Sequence, residues 1–348
     1  MSTRKLVSDI GEIRLIDRIK KQITRAYKGA KGTLRPVVGI GDDAAVVRPE
    51  AGKLLVASTD MLVEGIHFNI GTFTPYEIGL KAMAVNLSDI AAMGAAPRYG
   101  LVTLGLPVNI PVETVDNLIK GTLDLSRKFN VFVIGGDIVS SPNALVVSIT
   151  VWGSVEKKKI IRRSGAKAGD LIMVTGTMGD SAAGLSILGE NSTRRPSSWE
   201  RKLVSRHLRP YPRVRESGVL AKSGFVSSMI DSSDGLMKSI YHLCRQSNVG
   251  AKVYTERIPL SASLERFLEK KKEKPSYMAL CGGEEYELVF TVSQKSEKAV
   301  KKMLSQKKCV GVSTIGEIVG KKKGVNFFEK GKRLRPFPLA GFEHFRSL

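Results

Sequence analysis

The sequence predicts an α/β protein of the α+β type, built as two domains with mixed or antiparallel sheets, and three observations carry that reading. Its 348 residues exceed the length at which a single hydrophobic core usually stops growing. Short β-branched runs punctuated by Gly and Pro alternate with segments of helical spacing along the whole chain. The pattern then restarts at RRSGAKAGD, where Lys and Gly introduce a fresh strand, LIMVTG. That restart puts the boundary near residue 158 and gives domains 1–157 and 158–348.

The elements follow in order. Ile13, Leu15, Ile16, Ile19, Ile23 and Tyr27 are spaced helically within GEIRLIDRIKKQITRAY, with charged positions between them, so the chain begins with an amphipathic helix. VVGIGDDAAVV and KLLVASTDMLV read as strands. Thr74, Pro75 and Glu77 supply an N-cap, a first helical residue and a capping-box acid, which starts a helix that runs to about Met93 and closes at Gly94. RYGLVTLGLP and ALVVSITVWGSV are strands around a helix over residues 112–129, and FVIGGDIVSS is a strand leading into a loop. In the second half, a helix begins near Asp180, which after Gly179 reads as a cap. Residues 191–199 read as a surface loop, and a helical stretch ends at HLRPYPR. VSSMID leads to a helix after Gly235, and ELVFTV and STIGEIV complete the strands.

Composition narrows the function. No segment reaches the roughly eighteen uninterrupted apolar residues of a bilayer span, and the charged start MSTRKLVSDIGEIR lacks the features of a secretory signal, so the expected compartment is the cytoplasm. Cys244, Cys281 and Cys309 are widely separated, which argues against a disulfide framework or a zinc site. The net charge of +22 attracts polyanions, and a nucleic-acid-binding protein is the reading from a different class. Against it, the lysines fall in scattered short runs and aromatic residues make up only 6%, too few to interleave with them as base-stacking platforms. No specific nucleic acid and no membrane partner is expected.

Gly39, Gly41 and Ala44 in GIGDDA match the spacing of a dinucleotide fingerprint, but no helix follows, and Asp42 and Asp43 would repel a pyrophosphate. Carboxylates beside phosphate make sense only with cations between them. Asp43, Asp60, Asp89, Asp137, Asp231 and Asp234 all stand in apolar or glycine-rich settings, and Asp60, Asp137 and Asp231 read as the ends of strands. Any one of them could be a cap or a simple ion pair. Six together, in a chain with a large basic excess, point to bound metal, and an oxygen-only donor set favours Mg²⁺.

At these residues the chain resembles the thiamine-monophosphate kinase family, of the superfamily that includes aminoimidazole ribonucleotide synthetase and selenophosphate synthetase. The matching stretches run in order from GIGDDAAV through STDMLVEGIHF, KAMAVNLSDIAAMGA, IGGDIVSS, RSGAKAGD, VTGTMGDSAAGL, HLRPYPR, IDSSDGL and GGEEYELVFTV to GFEHF. The resemblance implies the two-domain fold of that superfamily and transfer of the γ-phosphoryl group of ATP to thiamine monophosphate, the last step towards thiamine diphosphate. ATP is then a co-substrate, several Mg²⁺ ions screen donor from acceptor, and the acceptor oxyanion attacks in line without a catalytic base. The runner-up is a related ATP-dependent synthetase, although the chain has no early cysteine of the kind selenophosphate synthesis would use.

Carried over position by position, the resemblance assigns Mg²⁺ to Asp43, Ser58, Thr59, Asp60, Asp89, Asp137, Asp231 and Asp234. It assigns ATP to Gly136, Asp137, Arg163 and Ser233, and thiamine phosphate to His67, Glu284 and Phe342. Asp89, Asp137 and Arg163 are the residues on which catalysis depends. A homodimer is implied, with N-terminal strands of both subunits forming a barrel. The chain departs from the family pattern at Ser232, Glu285, Phe342 and Glu343, where an apolar residue, aspartate, a polar aromatic and aspartate are usual; Phe342 can stack on a ring but offers no polar handle.

Overall fold

A computed structural model of the chain describes residues 5–29, 35–41, 43–190, 195–272 and 275–334. It divides into two compact units, Met1–Ile90 with Ala96–Lys157, and Ala91–Ala95 with Lys158–Leu348.

The first unit contains α1 (Val7–Ala26), β1 (Lys53–Val63), α2 (Pro75–Ala92), β2 (Ala96–Pro107), α3 (Val112–Lys128), β3 (Phe132–Ser141) and β4 (Val146–Glu156). Helix α1 buries Leu15, Ile19 and Ile23, one residue per turn on a single stripe, and is interrupted at Gly11, whose φ is 72°. Helix α2 starts as the sequence predicts: the Glu77 carboxylate accepts from Thr74 N at 3.0 Å and Glu77 N donates back to Thr74 Oγ1 at 3.3 Å. The four strands lie in the order β1-β4-β2-β3. Strand β4 is antiparallel to both neighbours, whereas β2 and β3 are parallel, joined through α3.

Two expectations change here. Among the described residues of 37–47 there is no strand: Val38 and Val46 form an isolated bridge, Ile40 is another bridge residue, Gly41 is in a turn and Asp43 and Ala44 are bends. Asp60 and Asp137 are not strand ends, because β1 continues to Val63 and β3 to Ser141, with Asp60 opposite Ile149 and Asp137 beside Thr103. Ladder pairing to long neighbouring strands carries both acids into mid-strand, overriding the low strand propensity of aspartate.

The second unit runs β5 (Asp170–Thr175), α4 (Asp180–Gly189), α5 (Ser198–Leu208), α6 (Val214–Ser223), β6 (Val226–Asp231) and α7 (Leu236–Ser247). It continues with β7 (Val249–Tyr254), α8 (Ala262–Lys271), α9 (Pro275–Cys281), β8 (Leu288–Ser293), α10 (Glu297–Gln306), β9 (Val312–Gly320), β10 (Val325–Glu329) and β11 (Lys332–Arg333). The sheet order is β11-β10-β7-β9-β5-β8-β6, mixed through the one parallel pair β7 and β10. One core cluster includes Ile172, Val174, Leu236, Ile240 and Val289; a second includes Met173, Leu220, Met229, Phe290 and Val300. Adjacent residues of β5 thus serve opposite faces of the sheet. Within the expected 191–199 loop, Ser198 and Trp199 belong to α5, because Ser197 caps the helix and Glu200 Oε2 accepts from Ser197 N at 2.8 Å. Among the described residues no helix is long and apolar enough to cross a membrane.

Candidate active site

Side chains alternate along β1, so Ser58 and Asp60 share the face that meets α2 and Asp89. Ser58 Oγ donates to Asp89 Oδ2 at 2.5 Å. Burial first, and then the charge of Asp89, push the Asp60 carboxyl up to about 6. Two carboxylates with no cation between them oppose each other's ionisation. Thr59 points to the other face, where its hydroxyl donates to Ile149 O at 3.2 Å and accepts from Thr150 Oγ1 at 3.0 Å. The first unit therefore gathers Ser58, Asp60 and Asp89, and leaves the Thr59 side chain apart.

A second group of predicted residues lines a cavity of about 710 Å³ in this unit, with Asp43, Gly136 and Asp137 on a wall otherwise furnished by Ile19, Leu101 and Leu123. Gly136 has a structural reason to be glycine: a Cβ there would stand 1.8 Å from Val102 O of the neighbouring strand. Close approach of β2, rather than of a ligand, accounts for the residue. His67 closes the turn after β1. Its Nδ1 accepts from Val63 N at 3.1 Å, which puts the ring proton of a neutral imidazole on Nε2. The turn is held from below by Lys81, fully buried, which donates to His67 O at 2.9 Å and lies 5.0 Å from the centre of the Phe73 ring.

In the second unit β6 ends at Asp231, 3% exposed, and hands over to the loop Ser232–Gly235 ahead of α7. Here the strand-end expectation holds. Ser233 and Asp234 are exposed, as is Arg163. Ser247 at the end of α7 fixes the Arg163 segment, its hydroxyl donating to Arg163 O at 3.3 Å and accepting from Gly165 N and Ala166 N, each at 3.1 Å. His242, on α7, is lowered by burial and then by Arg163, with Asp234 opposing, so Arg163 and Asp234 act on one neighbourhood. Glu284 is half-buried, with φ at 63°, and its N–H donates to Ser233 O at 2.6 Å. Tyr286 N and Ser232 N extend that pairing at 2.9 and 2.8 Å, to Ser232 O and Glu287 O. The loop 232–235 and the segment 283–287 are thus one hydrogen-bonded unit. Phe342 lies outside the described residues.

Sequence reasoning missed the cluster beneath this unit. Glu287, fully buried, accepts from Thr175 Oγ1 at 2.6 Å, Arg213 Nε at 2.7 Å, Arg213 Nη2 at 2.5 Å and Arg206 Nη2 at 2.9 Å. Its carboxylate lies over Gly176, where a Cβ would come within 2.2 Å of Glu287 Oε1 and φ is +59°. Glu285, 1% exposed, accepts from Ser181 N at 2.8 Å, and burial pushes its carboxyl up to about 8, Asp180 adding to the effect while Arg206 opposes it. Asp180 is not the cap: Gly179 occupies that position, and the Asp180 carboxylate accepts from Thr177 Oγ1 at 2.7 Å and Ser261 Oγ at 2.6 Å. The signal was there in two motifs of complementary charge, HLRPYPR and GGEEYEL, which supply His207, Arg213, Glu284 and Glu287.

Among the described residues no group of three or more His, Cys, Asp or Glu side chains is gathered to hold a metal. The Asp60 and Asp89 carboxylates fit Mg²⁺ nonetheless, since that ion takes one or two carboxylates and completes its shell with water and phosphate oxygens.

Residues 41–155 match the AIR synthase related protein N-terminal domain, and residues 167–327 its C-terminal domain. The thiamine-monophosphate kinase of Buchnera aphidicola is 36% identical over 89% of this chain and 93% of its own length, and that of Escherichia coli 36% over 89% and 92%. Among solved structures, the thiamine-monophosphate kinase of Stenotrophomonas maltophilia superposes with a TM-score of 0.80 at 33% identity, covering 93% of this chain and 98% of that one. AaThiL, complexed with AMPPCP and TMP, gives 0.75 at 31%, covering 99% and 100%. With two AIR synthase related domains and relatives of this identity over most of its length, the chain belongs to the thiamine-monophosphate kinase family.

Proposed function

We propose that this chain transfers the γ-phosphoryl group of ATP to the phosphate of thiamine monophosphate, giving thiamine diphosphate and ADP. The observation that carries the reading is the similarity, over 99% of the chain, to a protein complexed with AMPPCP and TMP. Donor and acceptor each carry a charge of about −1.5 to −2 near neutral pH, so their approach is opposed until that charge is neutralised. Bound Mg²⁺ would supply the neutralisation and bridge phosphate oxygens.

The residues of the chain take the remaining roles. Asp60 and Asp89, with Ser58 orienting Asp89, form one metal-holding pair; Asp43 with Asp137, and Asp231 with Asp234, supply further carboxylates, and Thr59 contributes through its main chain. Arg163 grips phosphate oxygens through its planar fork. Gly136 and Ser233 meet ATP, while His67, Glu284 and Phe342 meet the thiamine phosphate. The attacking oxygen is already an oxyanion, so direct in-line transfer needs no base and no phosphoenzyme.

Incubation with ATP, Mg²⁺ and thiamine monophosphate, followed by separation of the thiamine phosphates, tests the activity; no thiamine diphosphate at any Mg²⁺ level would sink it. Chirally labelled γ-thiophosphate tests the route, since a single in-line displacement inverts phosphorus and a phosphoenzyme retains it. We also assign the chain to the cytoplasm as a homodimer. Strand β1 is an edge strand, and its exposed Leu55 (71%) and Met61 (55%) stand on one face beside that edge, which strands of a second copy would cover. Sedimentation equilibrium giving a monomer at micromolar concentration would refute the dimer.

A further inference from the structure

His207 lies in the last turn of α5 and is 4% exposed. Its Nδ1 stands 3.3 Å from Glu284 Oε2 and 3.1 Å from Ser181 Oγ, and Ser181 is anchored in turn through its N–H on Glu285. A carboxylate has only acceptors, so the contact with Glu284 is attractive when Nδ1 carries the proton, with Ser181 Oγ then a second acceptor. The Glu284 side chain is 28% exposed, and its backbone is in the left-handed region that glycine, not glutamate, prefers. Two residues on, Tyr286 is left-handed as well, at φ 53°. Such a backbone persists only when its surroundings over-determine it. Here Glu285 and Glu287 do so, holding the segment by Ser181, Arg206 and Arg213 while Glu284 faces His207.

We propose that His207 is a positioning residue for the acceptor substrate, whose imidazole, aligned by Ser181, holds the Glu284 carboxylate in the orientation that meets thiamine monophosphate. The inference rests on the reading of Glu284 as a contact of that substrate. It explains why a histidine is buried at the start of HLRPYPR, where a leucine would pack with less desolvation. Arg213, at the other end of the same motif, grips Glu287, so one heptapeptide fixes both ends of the acidic segment.

The test is a double-mutant cycle on the full chain, reading KM for thiamine monophosphate, KM for ATP, kcat and the thermal midpoint. Glu284→Gln is expected to raise KM for thiamine monophosphate about tenfold, equivalent to about 1.4 kcal/mol, with KM for ATP within about twofold. His207→Ala is expected to raise the same KM about fivefold and likewise spare ATP, and to add nothing in the Glu284→Gln background. His207→Asn, whose amide N–H stands where Nδ1 does, is expected to restore most of the loss, and it carries the cycle if the alanine variant does not fold. If Glu284→Gln leaves KM for thiamine monophosphate unchanged, the substrate assignment of Glu284 fails. If Glu284→Gln acts but His207 substitutions act equally in both backgrounds, or shift only the thermal midpoint, the positioning role of His207 is overturned.

Discussion

Glu287→Gln is the sharpest perturbation of the buried cluster. In the native chain each carboxylate oxygen faces two donors, Oε1 those of Arg206 and Arg213, Oε2 those of Thr175 and Arg213. Whichever way the amide turns, its NH₂ replaces an acceptor that Arg213 uses, and the 7%-exposed guanidinium loses its bidentate partner. Removing one side of a buried ion pair costs about 3–5 kcal/mol. At about 2–4 °C per kcal/mol for a unit of this size, the unfolding midpoint should fall by about 6–20 °C. Scanning calorimetry of both proteins at pH 7 measures it. A fall of less than about 2 °C would show that the pair contributes little and that the reasoning is wrong. The companion variant Glu287→Leu with Arg213→Met should recover part of the loss, because exchanging a buried pair for apolar residues is often close to neutral while Arg206 and Thr175 still lose their bonds to Glu287.

Glu285 carries a pH signature of opposite sense to a salt-bridged acid. Its carboxyl, raised from 4.5 to about 8 in the folded chain, contributes stability that is complete below about 4.5, declines as pH rises and is lost past about 8. Thermal midpoints across that range should show Glu285→Gln equal to the parent near pH 4.5 and increasingly more stable towards pH 8; parallel curves would contradict the shift. Asp89→Asn and Asp137→Asn should each lower kcat/KM at least about a hundredfold, about 2.7 kcal/mol of barrier, in the thiamine diphosphate assay; unchanged rates would remove both from the metal site. Gly136→Ala, forcing a methyl to within 1.8 Å of Val102 O, should destabilise the first unit by about 1–3 kcal/mol in urea, and an unaltered midpoint would restore ligand approach as the reason for the glycine.

Helices with strong punctuation were legible in the sequence. Thr74 to Glu77 marked the start of α2, and the Asp89 it carries in an apolar setting accepts from Ser58. Strand ends were less legible, because alternation and local propensity cannot say how far a neighbour's ladder extends; hence Asp60 and Asp137 lie in mid-strand. The face a residue takes also follows from register alone, which separates Thr59 from Ser58 and Asp60. Most hidden was the cluster of Arg206, His207, Arg213, Glu285 and Glu287. Charged side chains are ordinarily solvated, so nothing local marks them for burial until their partners, some 70 to 80 residues distant, are known.

The segment from Gly283 to Glu287 has a consequence for how this family can vary in length. Glu285 and Glu287, two residues apart, are both buried, while Glu284 before them and Tyr286 between them take left-handed backbone. Insertion or deletion of one residue would exchange the places: Tyr286 would meet Arg213, and a buried acid would stand at the half-buried position of Glu284. Substitutions at single positions can be graded and compensated, but a change of reading frame inverts the whole pattern at once. In this stretch the spacing, more than any one side chain, is the inherited character.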